Sequence, residues 1–119
     1  MKTPILTFFL LMSGAAALPG TFLPGTVPAP SRLYSSADAR GKVVTTLAAR
    51  QSIQIRRCTP QWCSVSVGAR SGWIPRAQVR AQGKCADLIA VGLRDLRPGE
   101  ASYSGARDRD GDGLGCDMK

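Results

Sequence analysis

In the run Asp108-Arg-Asp-Gly-Asp-Gly-Leu-Gly-Cys-Asp117 of this 119-residue chain, carboxylates recur at every second position. Asp108, Asp110 and Asp112 place three anionic oxygen donors in one short loop. The interleaved Gly111 and Gly113 let that loop bend sharply. Such a cluster either repels itself outward into solvent or is drawn together by a hard cation, because carboxylate oxygens are hard donors. Gly113 stands sixth from Asp108, where a cation-binding loop turns. Leu114 stands seventh, where a backbone carbonyl can be offered to the ion.

These offsets are those of an EF-hand-type calcium loop. Calcium takes six to eight oxygens at about 2.3–2.6 Å, and the three carboxylates with the Leu114 carbonyl supply only part of that shell. The ninth position is Cys116, a poor partner for a hard ion. The twelfth is Lys119, where a bidentate Glu is usual. Asp117 and the α-carboxylate of Lys119 are the two groups that could complete the set. Magnesium fits less well, since it demands a tighter octahedron and retains several waters. An Asp/Gly turn solvated without metal is the plain alternative. With so few ligands, the expected affinity is that of extracellular modules, with Kd about 10⁻⁴–10⁻³ M.

Other chemistries lack their residues. The chain has no His. No Ser or Cys has a recognisable base partner, and no glycine-rich phosphate loop is present, so catalysis is not expected. Cys58, Cys63, Cys85 and Cys116 form an even set, which in an exported chain favours disulfides. A four-thiolate zinc site would need two close cysteine pairs, and only Cys58 and Cys63 are close. Export is expected from the first residues. Met1-Lys2, the apolar stretch Pro4 to Met12 and Ala15-Ala16-Ala17 follow the order of a secretory signal peptide, residues 1–17, cleaved after Ala17. The apolar run is too short for about 30 Å of hydrocarbon, so no transmembrane anchor is expected in the mature chain.

The elements that must position the loop are short strands. Residues 18–31 contain Pro19, Pro24, Pro28 and Pro30 without any period, and read as an extended Pro/Gly-rich linker. Val43 to Leu47 is rich in β-formers. Ser52 to Arg56 and Ser64 to Val67 alternate with period two, and Gly72-Trp73-Ile74 is a further short apolar piece. Short alternating runs broken by turn residues imply a small antiparallel barrel or sandwich over residues 32–82. Thr59-Pro60 starts a turn between two of these strands, and a Cys58–Cys63 bond would staple the hairpin tip. One conflict follows. If Cys58 faces Cys63 directly, Ile53 and Ile55 fall on the opposite face from Val65 and Val67, so a bulge or an offset register must intervene.

Gly41-Lys-Val-Val-Thr-Thr-Leu47, Ser52 to Ile55, Trp62-Cys-Ser-Val65, Ser71-Gly-Trp-Ile74 and Ala77-Gln-Val79 together resemble a bacterial SH3 (SH3b) domain. That resemblance implies an SH3-like β-barrel of the kind found in exported proteins that associate with the cell wall. Residues 83–119 carry a second resemblance. Cys85 leads a short Ala-rich helix, Gly92 closes it, Pro98-Gly99 and Tyr103 follow, and Asp108 to Asp117 ends the segment. This is similar to an excalibur domain, an extracellular calcium-binding region. The resemblance implies that Asp108, Asp110, Asp112 and Asp117 take the metal-ligand roles and that Cys85 pairs with Cys116. The family normally has Glu where Asp117 stands and Leu where Arg107 stands; the latter brings positive charge close to the ion. The expected fold is therefore mainly β, a small SH3-like barrel plus a disulfide-closed module with one short helix and an EF-hand-like loop. A segment this short rarely folds without disulfides or metals, so the module is expected to be loose without calcium and ordered with it.

Charge divides along the same line. The whole chain carries +8. Arg32 to Lys84 holds ten Lys/Arg against the single acid Asp38, whereas Cys85 to Lys119 holds five Lys/Arg and seven acids. Arg56, Arg57, Arg70, Arg76 and Arg80 could meet an anionic polymer such as a teichoic acid, or simply form a soluble basic surface. Nucleic acid is a weaker candidate, since no recognition motif and little aromatic interleaving accompany the charge. Trp73 is expected to complete or shield the barrel core, and Trp62 to do the same or to form part of a ligand platform. The function expected from these residues is that of a secreted calcium-binding protein with a basic module for cell-envelope polymer or peptidoglycan. A calcium-ordered protein–protein module and a non-catalytic accessory to a secreted hydrolase or nuclease are the alternatives.

Overall fold

The computed structural model describes residues 22–117. The signal peptide expected at residues 1–17, the first linker residues and the α-carboxylate of Lys119 lie outside the described residues. Seven antiparallel strands form one sheet: β1 (Leu23–Val27), β2 (Ser31–Tyr34), β3 (Val43–Leu47), β4 (Gln51–Cys58), β5 (Trp62–Val67), β6 (Arg70–Pro75) and β7 (Arg80–Ala81). Their spatial order is β3-β2-β6-β5-β4-β1-β7. A 3-10 turn, Arg76–Gln78, leads into β7, and the helix α1 (Cys85–Ala90) follows it.

Alternation decides which face is covered. Ile53 and Ile55 of β4, Cys63 and Val65 of β5, Leu33 of β2 and Ile74 of β6 are all buried on the inner face. The register conflict between the cysteines and the isoleucines is resolved by a bulge. Ile55 pairs with Val65 and Cys58 pairs with Cys63, and the register shifts between Ile55 and Arg57. Arg56 is the extra residue. It lets both apolar sets face the core while the two cysteines stand opposite each other. The Cys58–Cys63 disulfide closes this hairpin across a Cα–Cα distance of 4.0 Å. The turn inside it is held by Thr59, whose hydroxyl accepts the Trp62 N–H at 3.0 Å.

Four expectations are corrected. Residues 23–31 are not a linker: Leu23–Val27 pairs with both β4 and β7, and Ser31 opens β2. The prolines disguised a period of two, for Leu23 and Val27 both point into the core. The barrel is not closed, because β3 and β7 stand at opposite ends of the strand order. The physical reason lies at β7. Ser102 Oγ accepts the Ala81 N–H at 3.0 Å and donates to the Val79 carbonyl at 2.5 Å, while the Ala101 N–H donates to the Ala77 carbonyl at 2.9 Å. Backbone groups at and beside β7 are thereby satisfied by the C-terminal segment instead of by a closing strand.

The boundary drawn at residues 82/83 is likewise not a break in packing. Leu88, Leu93, Leu96 and Cys116 share one buried cluster with the inward residues of the sheet. Gly92, after α1, adopts φ +92°, and an added Cβ there would strike the Cys58 carbonyl. The neighbouring Val91 carbonyl accepts the Cys58 N–H at 2.5 Å. Glycine thus lets the helix end sit against the β4–β5 hairpin.

A buried ion pair completes the join. Arg76 donates from Nε to Glu100 Oε1 at 2.7 Å and from Nη2 to Oε2 at 3.0 Å, and Nη2 also reaches the Arg94 carbonyl at 2.8 Å. The side chains are 7% and 11% exposed, so Arg76 is not available to an external polymer as the sequence suggested. Glu100→Ala would leave the guanidinium buried without its counter-charge. Urea denaturation is expected to show a loss of about 3–5 kcal/mol, the usual cost of removing one partner of a buried pair.

Candidate metal centre

The loop from Asp108 to Leu114 is clamped at both ends. On one side the Asp108 N–H donates to the Ser104 carbonyl at 3.1 Å. On the other, Leu96 and Gly115 exchange two backbone hydrogen bonds of 2.8 and 2.7 Å, and the Cys116 N–H donates to the Arg107 carbonyl at 2.8 Å. The Cys85–Cys116 disulfide anchors the exit to the start of α1. Every cysteine of the chain is in a disulfide, which removes the zinc-thiolate alternative.

Between these clamps the chain turns on Gly111 and Gly113, at φ +69° and +89°. The turns aim backbone N–H groups at carboxylates. Asp112 N–H donates to Asp108 Oδ1 at 3.1 Å, Gly113 N–H to Asp108 Oδ2 at 3.0 Å, and Leu114 N–H to Asp112 Oδ1 at 2.9 Å. Asp108 is the most enclosed of the three, with 9% exposure, while Asp110 and Asp112 are exposed. Carboxylate oxygens of Asp108, Asp110 and Asp112 all lie within 4.8 Å of one another. Two oxygens on opposite sides of a calcium ion stand at most about 5 Å apart, so this cluster fits a single ion of that size.

Asp117 is not part of that close group. It is half-buried and lines a neighbouring depression with Asp110 and Leu114. The five residues expected around the ion therefore fall into a tight carboxylate trio and an adjoining Leu114–Asp117 side, with Asp110 common to both.

Two participants were not assigned their roles from the sequence. Tyr103 donates its hydroxyl to Asp108 Oδ2 at 2.6 Å. That bond to the carboxylate, aided by desolvation and by the charges of Asp108 and Asp112, holds the phenol above its ordinary value of 10.0. Arg107 does not aim its charge at the loop. Its guanidinium donates to the carbonyls of Ser102 at 2.7 Å, Ala81 at 3.0 Å and Gly83 at 2.9 Å, tying the loop's entrance to β7. A tyrosine five residues before an acidic loop and an arginine at a position otherwise apolar were the available signals, but neither reveals a partner without the fold.

Comparison with known families bears on the same segment. Residues 82–116 match the Excalibur calcium-binding domain. Calcium is the ion this domain binds, and the match spans α1, both cysteines of the second disulfide and all three clustered aspartates. It stops one residue short of Asp117 and does not extend to the strands assigned to an SH3-like barrel. The chain matches no curated protein and no solved structure. Among the described residues, no helix is long and apolar enough to cross a membrane.

Because the Excalibur segment shares its core with the sheet, its ordering is expected to depend on calcium only locally. In a chelator, hydrogen exchange should be fast at the amides of Arg109 to Gly113 and slow at Leu88, Leu93 and Leu96, which are buried and hydrogen-bonded. Loss of protection at those leucines on chelation would restore the picture of a module folded by its metal.

Proposed function

We propose that this is an exported calcium-binding protein of non-catalytic role, in which Asp108, Asp110 and Asp112, the Leu114 carbonyl and Asp117 hold one calcium ion. The observation that carries this reading is the convergence of three carboxylates to within 4.8 Å on a loop clamped at both ends, inside the segment that matches a calcium-binding domain. Calcium supplies charge neutralisation there. It offsets the mutual repulsion of the carboxylates and fixes the loop against Tyr103 and the sheet. Asp117 contributes the donor that the trio lacks, from the side it shares with Asp110 and Leu114.

Calorimetric titration of the oxidised protein should give one saturable site with Kd about 10⁻⁴–10⁻³ M, the range of extracellular modules. Asp110→Ala should abolish it. At calcium tenfold above Kd the folded state should gain about 1.4 kcal/mol. Absence of binding at millimolar calcium in the parent protein would remove this reading.

The sheet supports a second role, attachment to an anionic cell-envelope polymer such as a teichoic acid or the acidic groups of peptidoglycan. Arg57 lies over the ring of Trp73 at 5.8 Å, and Trp73 pairs with Tyr34 across β2 and β6. Tyr34 in turn meets Trp62 edge-on, with ring centroids 5.7 Å apart. These three half-buried rings form one aromatic strip, and Arg32, Arg56, Arg57 and Arg70 are all exposed. Both tryptophans thus serve the outer face and not the core. Rings carrying guanidinium groups suit a polymer that presents both flat faces and negative charge. Retention on an anionic polymer should fall steeply between low and physiological salt, and Arg57→Ala should weaken it further. Salt-insensitive retention would favour an apolar protein partner instead.

A further inference from the structure

We infer that the groove between β7 and the entrance of the acidic loop is a binding site for a small phosphate-bearing molecule with an apolar body. Arg80, Lys84, Arg107 and Arg109 line one depression of about 710 Å³. They arrive from separate parts of the chain: the start of β7, the residue before α1, and the two neighbours of Asp108. Among the described residues, the ion pairs are Arg76–Glu100 and Arg94–Asp95, so none of these four cations is paired with a carboxylate. Asp108, Asp110 and Asp112 are not in the lining, so this groove is a separate depression, although it adjoins the metal centre through Tyr103, Arg107 and Arg109.

Arg107 is what makes the groove a site and not merely a basic surface. Its guanidinium is held by the carbonyls of Ser102, Ala81 and Gly83. Carbonyls orient the fork without cancelling its charge, and they leave part of its donor set for a ligand. A half-buried cation fixed in advance loses little conformational freedom when an anion arrives. Arg80, Lys84 and Arg109 are exposed and can close over the anion from the rim.

The rest of the lining sets the ligand's other half. Ala81, Cys85, Ala101, Ala106 and Tyr103 contribute small or aromatic surface. The volume is that of a small-molecule cleft, within the common range of about 300–1,000 Å³. A phosphate dianion offsets more of the charge of these four cations than one carboxylate would, and its oxygens suit the arginine fork. The occupant expected is therefore a phosphate monoester whose organic group lies on the alanine and tyrosine floor.

The test is made in the absence of calcium. Phenyl phosphate is titrated into the oxidised protein in metal-free, low-salt buffer while amide resonances are followed by NMR. Saturable shifts confined to residues 80–85 and 101–109 are expected. Inorganic phosphate should bind more weakly for want of the apolar contact, and phenol should not bind. Arg109→Ala and Lys84→Ala should each weaken phenyl phosphate by about fivefold, while Arg40→Ala, at an exposed position between β2 and β3, should not. Shifts that fail to saturate, that spread over the basic surface, or that persist unchanged in both groove variants would overturn the assignment, as would equal binding of phenol.

Discussion

The rest of the structure depends on the buried contact between Arg76 and Glu100. A guanidinium withdrawn from water is tolerable only with its counter-charge and its remaining donors satisfied. Here the counter-charge comes from the C-terminal segment, and so does a backbone acceptor, the Arg94 carbonyl. Glu100 is itself positioned by the Arg97 N–H at 2.9 Å. The pair therefore cannot form unless residues 94–100 lie against the 3-10 turn that precedes β7. Once they do, Ser102 falls beside β7, Leu96 reaches Gly115, and both ends of the acidic loop are placed.

The acidic loop is the opposite electrostatic case. Asp110 and Asp112 stay near water while Asp108 is enclosed; Asp108 accepts the N–H groups of Asp112 and Gly113, and Asp112 accepts that of Leu114. Those N–H groups carry only partial charge, so they orient the oxygens without neutralising them. A frame that fixes three like charges close together stores repulsion that a divalent cation relieves. The rigidity lies in the clamps on either side, the Leu96–Gly115 bridge and the Cys85–Cys116 bond, more than in the loop itself. Arg107, which flanks Asp108, is turned from the loop toward the carbonyls of Ser102, Ala81 and Gly83 and is not paired with these carboxylates.

Much of this was legible in the residues. Asp108, Asp110 and Asp112 were grouped by their two-residue spacing, and their carboxylates do lie within 4.8 Å of one another on a loop that turns at Gly111 and Gly113. The hairpin bulge could be deduced because period-two alternation and a direct Cys58–Cys63 pairing are incompatible without one. Hidden features were those whose partners are far away in sequence. Proline made Leu23 to Val27 read as a linker, although Pro24 lies outside the two residues of β1 that pair with β7 and the inward residues still alternate. Arg76 looked like one more surface cation because nothing in its neighbourhood names Glu100. The open sheet could not be foreseen for the same reason: the groups beside β7 are satisfied by Ser102, a residue with no distinguishing pattern around it.

The Cys85–Cys116 bond has a consequence for how the chain meets proteolysis. It spans a sequence separation of 31 residues and encloses the exposed stretches at 97–99 and 109–112. Those stretches are the places a foreign protease would reach first. A cut in either leaves both fragments covalently joined, with Leu88 on one side and Cys116 on the other still seated in the common core. A nicked chain therefore does not shed its C-terminal piece. Damage of this kind is retained as an internal break, and the fold keeps its parts together until the disulfide itself is reduced.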